Sequence, residues 1–77
     1  MIIKQYRMIK EDIMFKKLMF EDVNLKTGFV YSVYMCESVI KKSYLIYECD
    51  NNGNMKAIKE FISWDEAMSF ARRKVKI

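Results

Sequence analysis

The sequence predicts a small α+β domain in which an antiparallel sheet of four to five strands carries one C-terminal helix packed on one face. Two observations predict this class. Apolar, aromatic-rich segments alternate with turn signals up to residue 61, and residues 63–76 have the cap, the charges and the apolar stripe of a helix. The chain has 77 residues, enough for one small core. No repeat, linker or low-complexity tract divides it, so we expect a single domain over residues 1–77.

The first third of the chain predicts two strands, with a helix as the alternative for the second. The segment IIKQYRMI over residues 2–9 has the composition of a strand, and KED after it can turn the chain. Residues 11–23 fit neither period, because Lys17 interrupts the alternation and a helical plot scatters the apolar residues. We predict a strand, since Phe and Ile are frequent there and no Ser or Thr caps a helix. A short helix over residues 11–20 is the alternative, and the predicted order is β-β-β-β-β-α.

The stretch FVYSVYMC over residues 29–36 predicts a strand that is apolar on both faces. Gly28 supplies the turn before it, and ESVIKKS forms the loop after it. Alternate side chains of a strand point to opposite faces. One face receives Phe29, Tyr31, Val33 and Met35, and the other receives Val30, Ser32, Tyr34 and Cys36. An apolar second face needs a second layer or a partner.

The segment CDNNGNMK predicts a hairpin between strands over residues 43–49 and 55–61. A three-residue loop, with Gly53 in the left-handed position, is our prediction, and a two-residue turn is the alternative. The two loops imply different registers: Glu48 opposite Lys56 and Ile46 opposite Ile58 for the first, Ile46 opposite Lys59 and Leu45 opposite Glu60 for the second.

The segment SWDEAMSFARRK predicts the helix. Ser63 and Glu66 have the spacing of a capping box, in which each side chain accepts from the backbone N–H of the other residue. Acidic residues occupy the first turn and basic residues the last, as the helix dipole favours. One apolar stripe contains Trp64, Ala67, Met68, Ala71 and Val75.

A helix of this length covers one face of the sheet and leaves the other without a partner, unless residues 11–20 are helical. Tyr, Met and Phe are enriched in the cores of protein interfaces, so such a face predicts binding of a protein partner or of a second copy in a homodimer. Unpaired sheet edges offer a second route to the same contacts. The candidate partner-binding residues are Phe29, Tyr31, Tyr34, Met35, Tyr44 and Tyr47.

Nucleic-acid binding is the alternative function, because the net charge is +4 and Lys residues alternate with aromatic ones. Its candidate residues are Lys41, Lys42, Arg72, Arg73 and Lys74. The stretch KTGFVYSVY departs from the order of an RNA-recognition strand, because Ser32 occupies the last aromatic place and Gly28 is misplaced. The last basic cluster is also explained by the helix dipole.

Composition argues against the remaining classes of function. The chain has no His, no nucleophile in a recognisable motif and no Gly-rich phosphate loop, so we expect neither an enzyme nor a cofactor, metal or small-molecule ligand. The strand over residues 29–37 can pair with residues 43–49 in two registers. One register puts Cys36 and Cys49 on opposite faces of the sheet, and the other puts them diagonally on one face, so neither brings them within disulfide distance. Apolar runs are too short to span a membrane, and the N-terminus is charged, which predicts a cytoplasmic protein.

The amino-acid usage is tilted towards Lys, Ile, Asn, Tyr, Phe and Met, which are the residues of AT-rich codons. Small single-domain chains with this usage and no catalytic motif are typical of proteins that phages and mobile elements encode to occupy a host machine, anti-CRISPR proteins among them. We therefore expect a non-catalytic inhibitor that acts by steric occlusion. Its contact surface would be the aromatic sheet face or the acidic loop ECDNNGN.

Overall fold

The computed structural model describes residues 13–76, which form one antiparallel sheet and one helix. Neighbouring strands follow chain order, so the sheet is a simple meander. The elements are β1 (Ile13–Val23), β2 (Val30–Ser38), β3 (Lys42–Cys49), β4 (Met55–Phe61) and α1 (Trp64–Val75). The predicted α+β class, with one C-terminal helix on an antiparallel sheet, is confirmed.

β1 resolves the ambiguity of the first third in favour of a strand. Residues 13–23 are extended and pair with β2, so the helical alternative is wrong over this range. The strand predicted over residues 2–9 lies outside the described residues. Leu18 pairs with Tyr34 and Phe20 with Val33, which leaves Met19 as an extra residue in a β-bulge. The bulge reverses the alternation of faces along β1, and this reversal is why no single period fitted the sequence.

The hairpin of β3 and β4 contains both of the registers that the sequence allowed. Next to the turn, Glu48 pairs with Lys56, as the three-residue loop predicts. The Gly53 N–H donates to the Asp50 carbonyl at 3.1 Å, and Gly53 has φ +86°. Beyond a second bulge at Ile58, Ile46 pairs with Lys59, which is the register of the two-residue alternative. The predicted pairing of Ile46 with Ile58 is therefore wrong by one residue.

α1 begins at the predicted cap and buries the centre of its predicted stripe. The Glu66 N–H donates to Ser63 Oγ at 3.4 Å, whereas no bond from the Glu66 side chain back to the Ser63 N–H occurs among the described residues. Ala67 and Ala71 are fully buried against Val33 and Ile46, which are also fully buried. Small side chains on the helix let it approach the sheet closely, and the core is accordingly thin.

The direction of α1 is fixed at both of its ends. Trp64 packs edge-on against Tyr44 with ring centroids 5.5 Å apart. At the other end, Asn24 Nδ2 donates to the Lys74 carbonyl at 2.7 Å. α1 therefore starts near the β2–β3 turn and ends near the β1–β2 turn, and it lies on one face of the sheet.

Candidate functional site

The sheet face opposite α1, which we call the open face, carries no helix within residues 13–76. Its members follow from the strand registers and from the contacts that mark each side: Phe20, Val33 and Ile46 belong to the helix side. The open face contains Lys16, Leu18, Glu21 and Val23 of β1, Val30, Ser32, Tyr34 and Cys36 of β2, Ser43, Leu45, Tyr47 and Cys49 of β3, and Met55, Ala57 and Glu60 of β4.

Two tyrosines and a lysine occupy the centre of the open face. Tyr34 and Tyr47 meet edge to face, with ring centroids 5.3 Å apart and planes at 87°. Lys16 Nζ lies 5.2 Å from the Tyr34 centroid and 4.8 Å from the Tyr47 centroid, which is a cation–π arrangement with both rings. It also donates to the Tyr47 hydroxyl at 2.9 Å. We call these three side chains the Lys16 cluster.

The Lys16 cluster presents hydrogen-bond donors to whatever covers the open face. The hydrogen bond to Tyr47 is the largest influence on the Lys16 ammonium and raises its pKa, so the charge persists at neutral pH. An ammonium has three N–H donors, and the Tyr47 hydroxyl that accepts one of them keeps its own proton to donate. The centre of the open face is thus a charged ammonium group in contact with two tyrosine rings.

Small, buried side chains lie beside the tyrosines on the open face, with Cys36 and Ser43 towards the β2–β3 turn and Ser32 opposite Tyr47. Ser32, Ser43 and Cys36 are each less than a tenth exposed. Burial raises the pKa of the Cys36 thiol, so it stays protonated at neutral pH. Glu60 closes this end of the face, where the Ser43 hydroxyl and the Lys41 ammonium, 3.4 Å away, lower the pKa of its carboxyl.

The two cysteines share the open face but lie far apart. Cys36 pairs with Ser43 and Cys49 with Val30, so the cysteines stand at opposite ends of the β2–β3 pair. Six positions along a strand span about 20 Å, far beyond the reach of a disulfide. The diagonal neighbourhood expected from one register was therefore wrong, while both thiols are free as expected.

The structure divides the six predicted partner-binding residues between three places. Tyr34 and Tyr47 lie together on the open face. Tyr31, Met35 and Tyr44 lie on the helix side, where Met35 pairs with Tyr44 and Tyr31 pairs with Glu48. Phe29 precedes β2 and lines a groove of about 280 Å³ together with Glu48, Asp50, Asn54, Met55 and Lys56. The six residues do not form one surface.

Three residues around the two tyrosines, Lys16, Leu18 and Leu45, were missing from the sequence-based set. Leu45 could have been found, because it has the same parity as Tyr47 in the strand SYLIYEC. Lys16 and Leu18 had no comparable signal, since their side of β1 depends on the bulge at Met19. Leu18 is 42% exposed and pairs with Tyr34, which in turn pairs with Leu45, so an apolar row crosses β1, β2 and β3 and ends at Glu60 on β4.

The basic residues proposed for nucleic acid lie at the two ends of the molecule. Lys41 and Lys42 stand at the β2–β3 turn, and Lys41 is paired with Glu60. Arg72, Arg73 and Lys74 stand in the last turn of α1, near the β1–β2 turn. The nine residues of β2 separate the two groups, a length of about 30 Å. Arg73 and Lys74 lie 6.0 and 5.5 Å from the Phe70 ring centroid.

Features of several other functional classes are missing from the described part of the chain. Residues 13–76 contain no group of three His, Cys, Asp or Glu side chains that could hold a metal ion. No described helix is both long and apolar enough to cross a membrane. The chain matches no protein-family model, no curated protein and no solved structure.

Tyr31 gives the helix side a pH-dependent contribution to stability. It is 6% exposed and donates its phenol O–H to Glu48 Oε2 at 2.7 Å. Burial and this bond raise the pKa of Tyr31 from 10.0 to about 12, because ionisation would place a second negative charge beside the carboxylate. The folded state therefore keeps a proton that the unfolded state releases between these two values.

We expect the free energy of unfolding to fall as the pH rises from 10.0 to about 12. The contribution of Tyr31 is fully present below the unfolded pKa and is lost as the pH rises through the folded pKa. Thermal unfolding of the wild type and of Tyr31→Phe, measured across this range, should show a shallower decline for the variant. Identical slopes for the two proteins would exclude Tyr31 as the source.

Proposed function

We propose that the protein is a non-catalytic binding module that contacts a protein partner, or a second copy of itself, through the open face. The observation that carries this proposal is the Lys16 cluster, with Leu18 and Leu45 on either side. Aromatic anchors beside apolar side chains are typical of the energetic centre of protein interfaces. A fixed donor group among them gives the contact orientation and specificity.

The distribution of charge supports a protein rather than a nucleic acid as the partner. The open face carries Lys16, Glu21 and Glu60, which is a mixed set. A nucleic-acid backbone is held by several cations along its path. The basic groups at the two ends of the molecule are about 30 Å apart, and one member of the first group is already paired with Glu60. Nucleic-acid binding through the same face is the weaker candidate.

A binding module of this size affects its partner by occupying a surface. The small chain and its amino-acid usage, tilted towards the residues of AT-rich codons, are typical of phage and mobile-element inhibitors. We therefore propose that the protein is an inhibitor that blocks a host machine sterically in the cytoplasm. The open face is the surface that such an inhibitor would apply.

Removing the aromatic centre should weaken binding about tenfold while leaving the fold intact. We expect tagged wild-type protein to retain a specific protein from a lysate of cells that carry its gene, and the double variant Tyr34→Ser, Tyr47→Ser to retain roughly tenfold less. Captured proteins are quantified by mass spectrometry, and circular dichroism verifies the fold of each variant.

The matched control removes apolar surface from another place. Val39 and Ile40, in the β2–β3 turn, are 72% and 81% exposed, so Val39→Ser, Ile40→Ser should capture as much as the wild type. Equal capture by the tyrosine variant would refute the open face as the site. Tight binding of labelled single-stranded DNA or RNA that weakens steeply with salt would favour the nucleic-acid alternative instead.

A further inference from the structure

The charge of Lys16 restricts what can cover the open face. Among residues 13–76, its partners are the neutral hydroxyl of Tyr47 and two aromatic rings. An occupant that excludes water from the face would leave this ammonium buried without a counter-charge, which is costly. The occupant must therefore bring a negatively charged group, such as a carboxylate, to the centre of the face.

The open face itself carries a carboxylate in a matching position. Lys16 pairs with Cys36, Leu18 with Tyr34 and Glu21 with Ser32. Lys16 and Glu21 thus stand two β2 positions on either side of Tyr34, and the bulge at Met19 is what turns Glu21 to this face. Glu21 is exposed and has no ion pair or side-chain hydrogen bond among residues 13–76, whereas Glu60 already has Lys41.

We propose that a second copy of this chain covers the open face, with the two sheets stacked about a twofold axis along the row of Leu18, Tyr34 and Leu45. This inference rests on the proposed function and names the partner. A twofold axis in that direction lays β1 antiparallel over β1 of the second copy. Each residue on one side of the row therefore faces the residue that lies at the same distance on the other side of the row in the second copy. Lys16 of each copy then faces Glu21 of the other, and the helices lie outside.

The apolar row and the size of the face are consistent with this arrangement. Leu18, Tyr34 and Leu45 lie along the axis and meet their own copies there, as in the core of a β-sandwich with sheets about 10 Å apart. Glu60 pairs with Leu45 and ends the row on β4, where Lys41 supplies the counter-charge to each Glu60 carboxylate. Four strands of about seven residues give a face of roughly 19 by 23 Å. Two such faces bury on the order of 1,000 Å² in total, near the lower limit for a specific interface. We therefore expect a dimer that dissociates on dilution.

Light scattering behind a sizing column, from low micromolar to millimolar protein, tests the proposal. The wild type should reach twice the chain mass of 9.3 kDa at high concentration. Lys16→Glu and Glu21→Lys should each weaken the dimer by roughly tenfold or more, because each sets like charges against one another. An equimolar mixture of the two variants should regain the dimer mass, and so should the double variant, because both restore opposite charges at both contacts.

Lys17→Glu is the matched control, since it makes the same change of charge on the helix side of β1. Its mass should follow that of the wild type. A wild type that stays monomeric throughout, a dimer unaffected by both open-face variants, or a mixture that stays monomeric would overturn the proposal. Glu21→Lys alters an exposed side chain, so its folding does not limit the test. A monomeric wild type would leave the proposed function intact for a foreign partner, because that function is tested separately by the capture experiment with the tyrosine variant.

Discussion

Replacing Ile46 with alanine is expected to lower the free energy of unfolding by about 3 kcal/mol. Ile46 is fully buried, on the central strand β3, in a core shared with Val33, Ala67 and Ala71. Its truncation removes apolar contact and leaves a cavity that the thin layer between helix and sheet cannot close. A domain of this length has a total stability of about 4–11 kcal/mol, so the loss is a large share. Urea titration followed by circular dichroism measures it.

Ile40→Ala supplies the control, because the same atoms are removed from a side chain that is 81% exposed. That change should alter the free energy of unfolding by about 0.5 kcal/mol or less. Comparable losses in the two variants would mean that Ile46 does not hold the helix against the sheet.

The elements that the sequence predicted correctly are those with local signals. Ser63 opens α1 because a hydroxyl can satisfy an N–H that the first turn leaves unpaired. Gly53 fixes the β3–β4 turn because its backbone adopts a positive φ without a steric penalty. Both effects act within a few residues, so they are visible without knowledge of the tertiary structure.

The bulges were missed because they are selected by packing between distant parts of the chain. Without the bulge at Ile58, Glu60 would point towards α1; with it, Ile58 and Phe61 both pack against the core and Glu60 turns to the open face. The bulge at Met19 similarly brings Phe20 to the core. The odd spacing between Ile58 and Phe61 was the available signal, since two residues three apart share a face only across a bulge.

The candidate site was predictable where it depends on local alternation and unpredictable where it depends on packing between distant residues. Alternation showed that the strand of FVYSVYMC has two apolar faces, and it separated Tyr34 from Tyr31 correctly. It could not show which face α1 covers, because that depends on the packing of Ala67 and Ala71 against Val33. Lys16 joins the tyrosines only through the register of β1, which no local pattern specifies.

The Gly28→Ala change is expected to cost about 2 kcal/mol of stability, from two separable causes. Gly28 has φ +83°, where a Cβ is strained, and that Cβ would lie 2.7 Å from Asn51 Oδ1. The Asn51 side chain would have to move and give up its bond to the Thr27 carbonyl, 3.2 Å away, which joins the two turns at this end of the sheet.

Gly53→Ala separates the causes, because Gly53 has φ +86° and nothing within 4 Å of an added Cβ. It should cost about 1 kcal/mol, from backbone strain alone. In an Asn51→Ser background the Gly28→Ala cost should fall to that same value, since the contact is then already lost. Urea titration of the four proteins in this double-mutant cycle, with Gly53→Ala beside them, measures both terms. An unchanged cost in the Asn51→Ser background would show that the strain at Gly28 acts without Asn51, and the cost of Asn51→Ser alone gives the contribution of the link between the two turns.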